Sequence, residues 1–354
     1  MAEVMRILTS SRMYRDALDI VSSQVPIDLL QRKRLLITGA SGLIGSALVD
    51  LLLYLNKVHG ADVEVLAAGR AREKLFRRFG TDESLSFASY EDVVSGKFGN
   101  AFDLAVLAAS PASPDVYVND PESVVKANTI DVDSILSTIH DYEGKSVVYV
   151  SSSEVYGDLV APKGGYGEDE FGQLDTMSRR SCYASSKRRA ESICSDYAKK
   201  GLHIVIVRPG HVYGPTASHS DRRVSSAWVY DVAAGKDIVM KSDGCQLRSY
   251  VHCLDCAAAI LVAMVKGVSG EAYNISNRQS VISIRDMAEI LANAGAVKLR
   301  MELPTGVEIK AFNPMNNSSL NAHKLEALGW KGWIDAKRGF RETVAILKEI
   351  GGAA

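Results

Sequence analysis

Apolar residues fall into two rhythms along most of this 354-residue chain. Short, nearly unbroken runs have the length of buried strands: Leu35-Leu36-Ile37-Thr38, Val63-Glu64-Val65-Leu66, Leu104–Ala108, Ser146–Ser151 and Ile204-Val205-Ile206-Val207. Ser84–Ala88 is a weaker run of the same kind. Between these runs lie stretches with helical spacing: one through Leu55, one over Pro121–His140, and one that carries Tyr183 and continues through Tyr197. Alternation of this kind predicts an α/β protein with a doubly wound, Rossmann-like parallel sheet. Ahead of it, residues 1–31 form an extension with helix-like spacing (Val4, Ile7, Leu8, then Ala17, Leu18, Val21), broken at Pro26. After Gly210 the pattern becomes irregular, with helices expected at Val224–Ala234, Leu254–Lys266, Ile284–Ala294 and Ala336–Lys348. That suits a smaller lobe closing over the carboxyl ends of the strands.

The first strand runs into Gly39-Ala40-Ser41-Gly42-Leu43-Ile44-Gly45 and then the first apolar helix. Glycines there allow a tight turn and close approach of a pyrophosphate, which sits at the positive end of the helix. Placed between a strand and a helix, the string predicts a dinucleotide. An acidic residue at the end of the second strand would hold the adenosine ribose of NAD, but Ala67-Ala68-Gly69-Arg70 stands there. Arg70 and Arg72 would tolerate a 2′-phosphate, or belong to a solvated helix start, so NAD and NADP both stay open. The expected division is a dinucleotide-binding domain over 32–210 and a mainly substrate-binding lobe over 211–354, with some segments returning to the first domain.

Composition narrows the class. Hydrophobic residues make up 47% and charged residues 23%, as in an ordinary globular enzyme. A net charge of −1 announces neither nucleic acid nor an anionic membrane. No apolar run reaches the roughly 18 residues of a membrane span, and the N-terminus lacks a signal-peptide core. Five cysteines without framework spacing suit the reduced thiols of a cytoplasm. Cys253-Leu254-Asp255-Cys256 is a lone C-x-x-C, read as buried free thiols, and no metal is expected.

Candidate chemistry centres on Tyr183 and Lys187, four residues apart on one helix face. An ammonium close to a phenol favours phenolate, which can take a proton from a substrate hydroxyl and return it. Tyr-x-x-x-Lys also arises by chance on many helices. Upstream, the strand ending at Val150 opens into Ser151-Ser152-Ser153-Glu154, where hydroxyls face the crevice of such a sheet. One or two of these serines could simply cap their own backbone. Glycine turn, strand-end serines and Tyr183…Lys187 in this order are not explained that way.

Together these features resemble the extended short-chain dehydrogenase/reductase family, whose members act on nucleotide-diphosphate sugars. The resemblance spans about Arg34 to Lys348 and is nearest to the UDP-glucuronate decarboxylases. It is carried by Leu107-Ala108-Ala109-Ser110-Pro111-Ala112-Ser113-Pro114 with Tyr117 and Asn128-Thr129, by Ser152-Ser153-Glu154, and by Ser181-Cys182-Tyr183 with Lys187-Arg188. Asp221-Arg222-Arg223-Val224 and Asp243-Gly244 through Gln246, Arg248, Ser249 and Tyr250 continue it.

The resemblance implies that NAD takes hydride from C4 of the sugar while Tyr183 removes the hydroxyl proton. Lys187 would tune the tyrosine and hold the nicotinamide ribose, and Ser152 would orient the hydroxyl. Glu154 and Arg248 would assist loss of CO2 from the resulting β-keto acid. Implied cofactor contacts are Gly39, Ser41, Gly42, Leu43, Ile44, Gly45, Arg70, Ala108, Ala109, Ser110, Asn128, Ser151, Tyr183, Lys187 and Arg208. Implied substrate contacts are Ser110, Pro111, Ser153, Glu154, His211, Arg223 and Arg248, and the implied assembly is a homodimer.

Several positions depart from the family pattern. A family asparagine that reaches the substrate is His211, the arginine after Pro215 is replaced by Thr216, and Asn316-Asn317-Ser318-Ser319 replaces an Arg- and Asp-bearing string. The competing readings are a UDP-sugar 4-epimerase, an NDP-sugar 4,6-dehydratase, and a non-catalytic dinucleotide sensor. Ser153 where dehydratases carry aspartate weighs against the second, and intact Tyr183 and Lys187 weigh against the third.

Overall fold

The computed structural model describes residues 7–98, 101–142, 145–158, 164–175, 177–302 and 315–351. Its strands, in chain order, are β1 (Arg34–Thr38), β2 (Glu64–Gly69), β3 (Leu85–Ser89), β4 (Leu104–Leu107), β5 (Ser146–Val150) and β6 (His203–Pro209). They continue with β7 (His211–Tyr213), β8 (Ile238–Met240), β9 (Leu247–His252), β10 (Ala272–Ile275), β11 (Val281–Ser283), β12 (Leu299–Met301) and β13 (Asn317–Ser318). Seven of them form one parallel sheet in the order β10-β6-β5-β4-β1-β2-β3. The chain therefore switches direction between β1 and β4, which opens a crevice beyond the carboxyl ends of those strands.

Successive residues of these strands serve opposite faces. Leu35 and Ile37 of β1 and Val148 and Val150 of β5 join one apolar core. Leu36, Val147 and Tyr149 join the other. Helices Leu43–His59 and Cys253–Lys266 cover the first face, and Ile130–His140 with Cys182–Lys199 cover the second. This two-sided burial is why the strands read as apolar runs and not as alternating patterns. Both cysteines of the C-x-x-C are buried free thiols in the first core.

The N-terminal extension folds as helices Ile7–Ser10, Arg12–Ser22 and Ile27–Leu30, while Val4 lies outside the described residues. Tyr14, Ala17, Leu18 and Val21 join the first core, and Tyr14 donates a 2.7 Å hydrogen bond to Asp50 on the helix that follows the glycine turn. Two expectations are revised. The Pro121–His140 helix is two helices, Pro121–Asn128 and Ile130–His140, because the Thr129 hydroxyl turns back onto the Val125 carbonyl at 2.7 Å and its backbone leaves the regular helix. The second strand runs three residues beyond Leu66 to Gly69, since Ala67, Ala68 and Gly69 pair with Phe87, Ala88 and Ser89 of β3.

The smaller lobe has its own core, in which Val229, Val232, Met240, Met287, Leu291, Phe340 and Val344 pack around Tyr213 and Tyr250. β9 lies between β11 and β13 and also pairs with β7, setting His211 opposite Tyr250. The chain then returns to the large sheet as β10 beside β6.

Candidate active site

A cleft of about 460 Å³ lies between the strand ends and the smaller lobe. Ser152, Ser153 and Glu154 line it from beyond the end of β5, Tyr183 from the start of the Cys182–Lys199 helix, Arg180 from the 3-10 turn Arg179–Ser181 before it, and His211, Arg223 and Arg248 from the smaller lobe. An apolar wall of Trp228, Val239, Met240, Ile284 and Met287 completes it.

Tyr183 is buried, and its ring stacks on Tyr117 with centroids 4.7 Å apart and planes at 15°. Burial pushes its phenol up to about 12, and the negative charge of Glu154 adds to that. Hydrogen bonding to Ser152 and Tyr117 and the positive charge of Arg223 pull the other way. Lys187 is also buried. Its Nζ donates to the Val150 carbonyl at 2.7 Å and lies 5.9 Å from the centre of the Tyr183 ring. Loss of hydration lowers its pKa to about 7. The expected lowering of Tyr183 by a neighbouring ammonium is therefore corrected here: burial outweighs it, and the same burial weakens the charge on Lys187.

Ser152 sits in extended backbone and accepts a 3.2 Å hydrogen bond from the Glu154 N–H. Glu154 lies on a single 3-10 turn, Ser153–Tyr156, and accepts from both terminal nitrogens of Arg180 at 3.1 and 3.3 Å. Arg223 is held by Asp221, whose two oxygens each accept from its Nε at 3.0 Å. Arg248 is 3% exposed, gives one hydrogen bond to the Leu247 carbonyl, and has no ion pair among the described residues. Burial lowers its pKa, which Tyr250 and Glu154 partly restore. His211 Nδ1 is buried without a hydrogen-bond partner. Burial, then Arg248, Arg223 and Arg180, holds its pKa down to about 3, so the ring is neutral.

The glycine turn is built for close approach. Gly39 has a φ of +71°, and a Cβ there would stand 2.9 Å from the backbone of Ala108 and Ala109. A Cβ on Gly45 would lie 2.3 Å from the Gly39 carbonyl oxygen. The Thr38 hydroxyl accepts from the N–H groups of Ala108 and Ala109 at 3.1 and 3.2 Å, tying the β4 loop to the turn. Ser41 and Gly42 are exposed at the helix start, Leu43 is buried and Ile44 half-buried. Ser110 and Pro111 are half-buried. Ser110 Oγ has no partner, while Asn128 donates to Ser186 at 3.0 Å and leaves its buried Oδ1 free. Arg70 is exposed just beyond β2 and has no ion pair among the described residues.

Two expected cofactor residues are committed elsewhere. Arg208 is 4% exposed and donates to Glu191 at 2.7 and 2.9 Å, to the Tyr156 hydroxyl at 3.1 Å and to the Glu168 carbonyl at 2.6 Å. The Ser151 hydroxyl donates to the same glutamate at 2.5 Å. A buried guanidinium needs a counter-charge, and Glu191 supplies it beneath the site. Sequence reasoning missed Arg180. Its only local signal was a position three residues before the tyrosine, and its partner lies 26 residues away.

Comparison with known proteins places the chain among nucleotide-sugar enzymes by similarity. The chain is 28% identical over 325 residues to UDP-glucuronic acid decarboxylase 1 of Xenopus tropicalis, covering 90% of this chain and 73% of that protein. It is 28% identical over 310 residues to UDP-glucuronic acid decarboxylase 3 of Arabidopsis thaliana, covering 86% of each. A dTDP-glucose 4,6-dehydratase from Streptomyces venezuelae, solved with NAD, superposes with a TM-score of 0.77 at 24% identity over 90% of this chain and 98% of that one. A UDP-glucuronic acid 4-epimerase from Bacillus cereus, solved with UDP-glucuronic acid and NAD, gives 0.75 at 20% identity over 89% and 99%. At these identities the two structures attest the fold alone. The model of the NAD dependent epimerase/dehydratase family matches residues 35–276, more than half of the chain and the whole run from β1 through β10, and this protein belongs to that family.

Proposed function

We propose that the chain is a UDP-glucuronate decarboxylase that works through a 4-keto sugar. One observation carries the reading: Arg248, buried without an ion pair among the described residues, shares a cleft with Glu154 and Tyr183. A buried arginine without a counter-charge is costly, and a carboxylate matches its forked donors. The residues fit a dinucleotide. Gly39 and Gly45 let the turn close tightly against the β4 loop and the helix start, where a Cβ would strike backbone, and Ser110 Oγ and Asn128 Oδ1 are buried polar atoms with no partner. Bound NAD supplies hydride acceptance at C4 and its later return.

The chain's own groups handle protons and charge. Tyr183 takes the O4 proton, Ser152 holds that oxygen, and Arg223 and Ser152 favour the phenolate. A ketone at C4 is β to the carboxylate at C5, so the electrons of the breaking C5–C6 bond pass into the ketone as CO2 leaves. Arg248 places the carboxylate, Glu154 serves the proton that C5 then gains, and Tyr183 returns its proton to O4. Cofactor contacts at the glycine turn and the β4 loop, substrate contacts at Ser153, His211 and Arg223, and a cytoplasmic homodimer belong to the same reading.

The test is mass spectrometry and CO2 trapping after incubation with UDP-glucuronate and NAD. Product lacking the carboxyl group is expected. In Glu154→Gln and Arg248→Ala, absorbance of reduced nicotinamide should still appear while CO2 does not. Near wild-type product from both variants would overturn the assignment. Retained mass with a changed sugar would instead show a 4-epimerase, which an arginine-lined cleft also suits.

A further inference from the structure

Arg180 stands on the 3-10 turn Arg179–Ser181, three residues ahead of Tyr183. Its two terminal nitrogens grip Glu154, while its Nε is buried with no hydrogen-bond partner. Arg248 lines the same cleft with no ion pair among the described residues, and Asp221 is already taken by Arg223. Among these groups three arginines face two carboxylates, so the cleft carries one guanidinium more than it can neutralise. His211 adds no charge of either sign, being held neutral by burial first and then by those arginines.

We propose that Arg180 makes this cleft select an acidic sugar, by holding Glu154 as an internal stand-in for the sugar carboxylate. The entering carboxylate takes donors from Arg180 with Arg248 on its other flank, and Glu154 is released toward the reacting carbons. Arg180 is thus a positioning residue for Glu154 and a specificity residue for the substrate. The inference rests on the UDP-glucuronate reading given above.

The groups already influence one another in the way such an exchange requires. Glu154 raises and Arg180 lowers the pKa of both Tyr117 and Cys182, and Glu154 is the strongest charged influence raising that of Tyr183. Arg180 opposes the charge on Arg248, and Glu154 supports it. A second carboxylate beside both arginines relieves that repulsion. It also competes directly with Glu154 for the forked donors.

Calorimetric binding of UDP-glucuronate and UDP-glucose to NAD-loaded protein tests this, in a Tyr183→Phe background so that substrate is not consumed. Arg180→Gln should weaken UDP-glucuronate by about 10- to 100-fold and UDP-glucose by less than about threefold. Arg180→Lys should recover part of the preference, with an unchanged unfolding midpoint. Glu154→Gln should bind UDP-glucuronate tighter than its parent, by about three- to tenfold, because no competitor has to be displaced. Equal losses for both sugars in Arg180→Gln, or no gain in Glu154→Gln, would overturn the inference. If the wild-type chain forms no CO2 from UDP-glucuronate, the decarboxylase reading falls, and the binding comparison still decides the role of Arg180.

Discussion

Lys187 directs its Nζ at the carbonyl oxygen of Val150, 2.7 Å away, at the point where β5 ends and the site serines begin. The same nitrogen lies 4.7 Å over the Tyr149 ring. One ammonium thus joins the helix that carries Tyr183 to the strand that carries Ser152. It thereby fixes the spacing between the elements that carry Tyr183 and Ser152.

Tyr183→Phe should lower turnover by at least about 100-fold, since only the proton-transfer group is lost. The Tyr117 stack and the glycine turn stay intact, so dinucleotide affinity should remain within about threefold. Steady-state rates and a fluorescence titration of the cofactor check both halves. A variant keeping a tenth of the wild-type rate would remove Tyr183 from the chemistry.

Lys187 also predicts a pH dependence of stability. Its pKa is lowered to about 7 in the fold, against about 10.5 unfolded. Between those values the unfolded chain binds more protons, so this group makes stability rise with pH over that window, and its contribution levels off below about 7, where both states are protonated. Lys187→Met should therefore lose this part of the rise. Unfolding midpoints of both proteins from pH 7 to 9 should show a steeper upward slope for the wild type. Parallel slopes would mean that Lys187 stays hydrated enough to keep its ordinary pKa.

Arg70 stands at the end of β2, where Ala67, Ala68 and Gly69 are buried and offer no carboxylate to a ribose. A 2′-phosphate meets a cation there instead of an anion. NADP should bind within about tenfold of NAD, and Arg70→Ala should weaken NADP by about tenfold while leaving NAD nearly unchanged. Parallel titrations decide it, and a strong preference for NAD in the wild type would show that Arg70 faces solvent only.

Arg208 is assigned a structural part, and that too can be checked. Arg208→Met leaves Glu191 buried without its counter-charge, with an expected cost of about 3–5 kcal/mol. Denaturant unfolding should show that loss. Double replacement with Glu191→Leu should recover much of it, because both charges then leave together. A cofactor-binding arginine would behave otherwise, losing NAD affinity with little change in stability.

The short strands β7 to β13 were not legible in the sequence, but the first six strands in their order, the glycine turn and the shared face of Tyr183 and Lys187 were. Each is written within a few neighbouring residues: apolar runs, a Gly-x-x-Gly-x-x-Gly string, an i, i+4 spacing. Secondary structure and backbone approach respond to such local signals. Helix ends such as Leu254–Lys266 and Ile284–Ala294 came within a residue of those in the structure for the same reason. Tertiary structure decided what the side chains do with one another. Register between β7 and β9 brings His211 and Arg248 into one cleft, although 36 residues of chain separate them. Burial, not spacing, sets the pKa of Tyr183 and Lys187. Arg208 goes to Glu191 and Arg180 to Glu154, choices that no run of sequence records. An arginine finds its carboxylate through packing and desolvation across the fold, and those forces act only once the sheet has brought distant segments together.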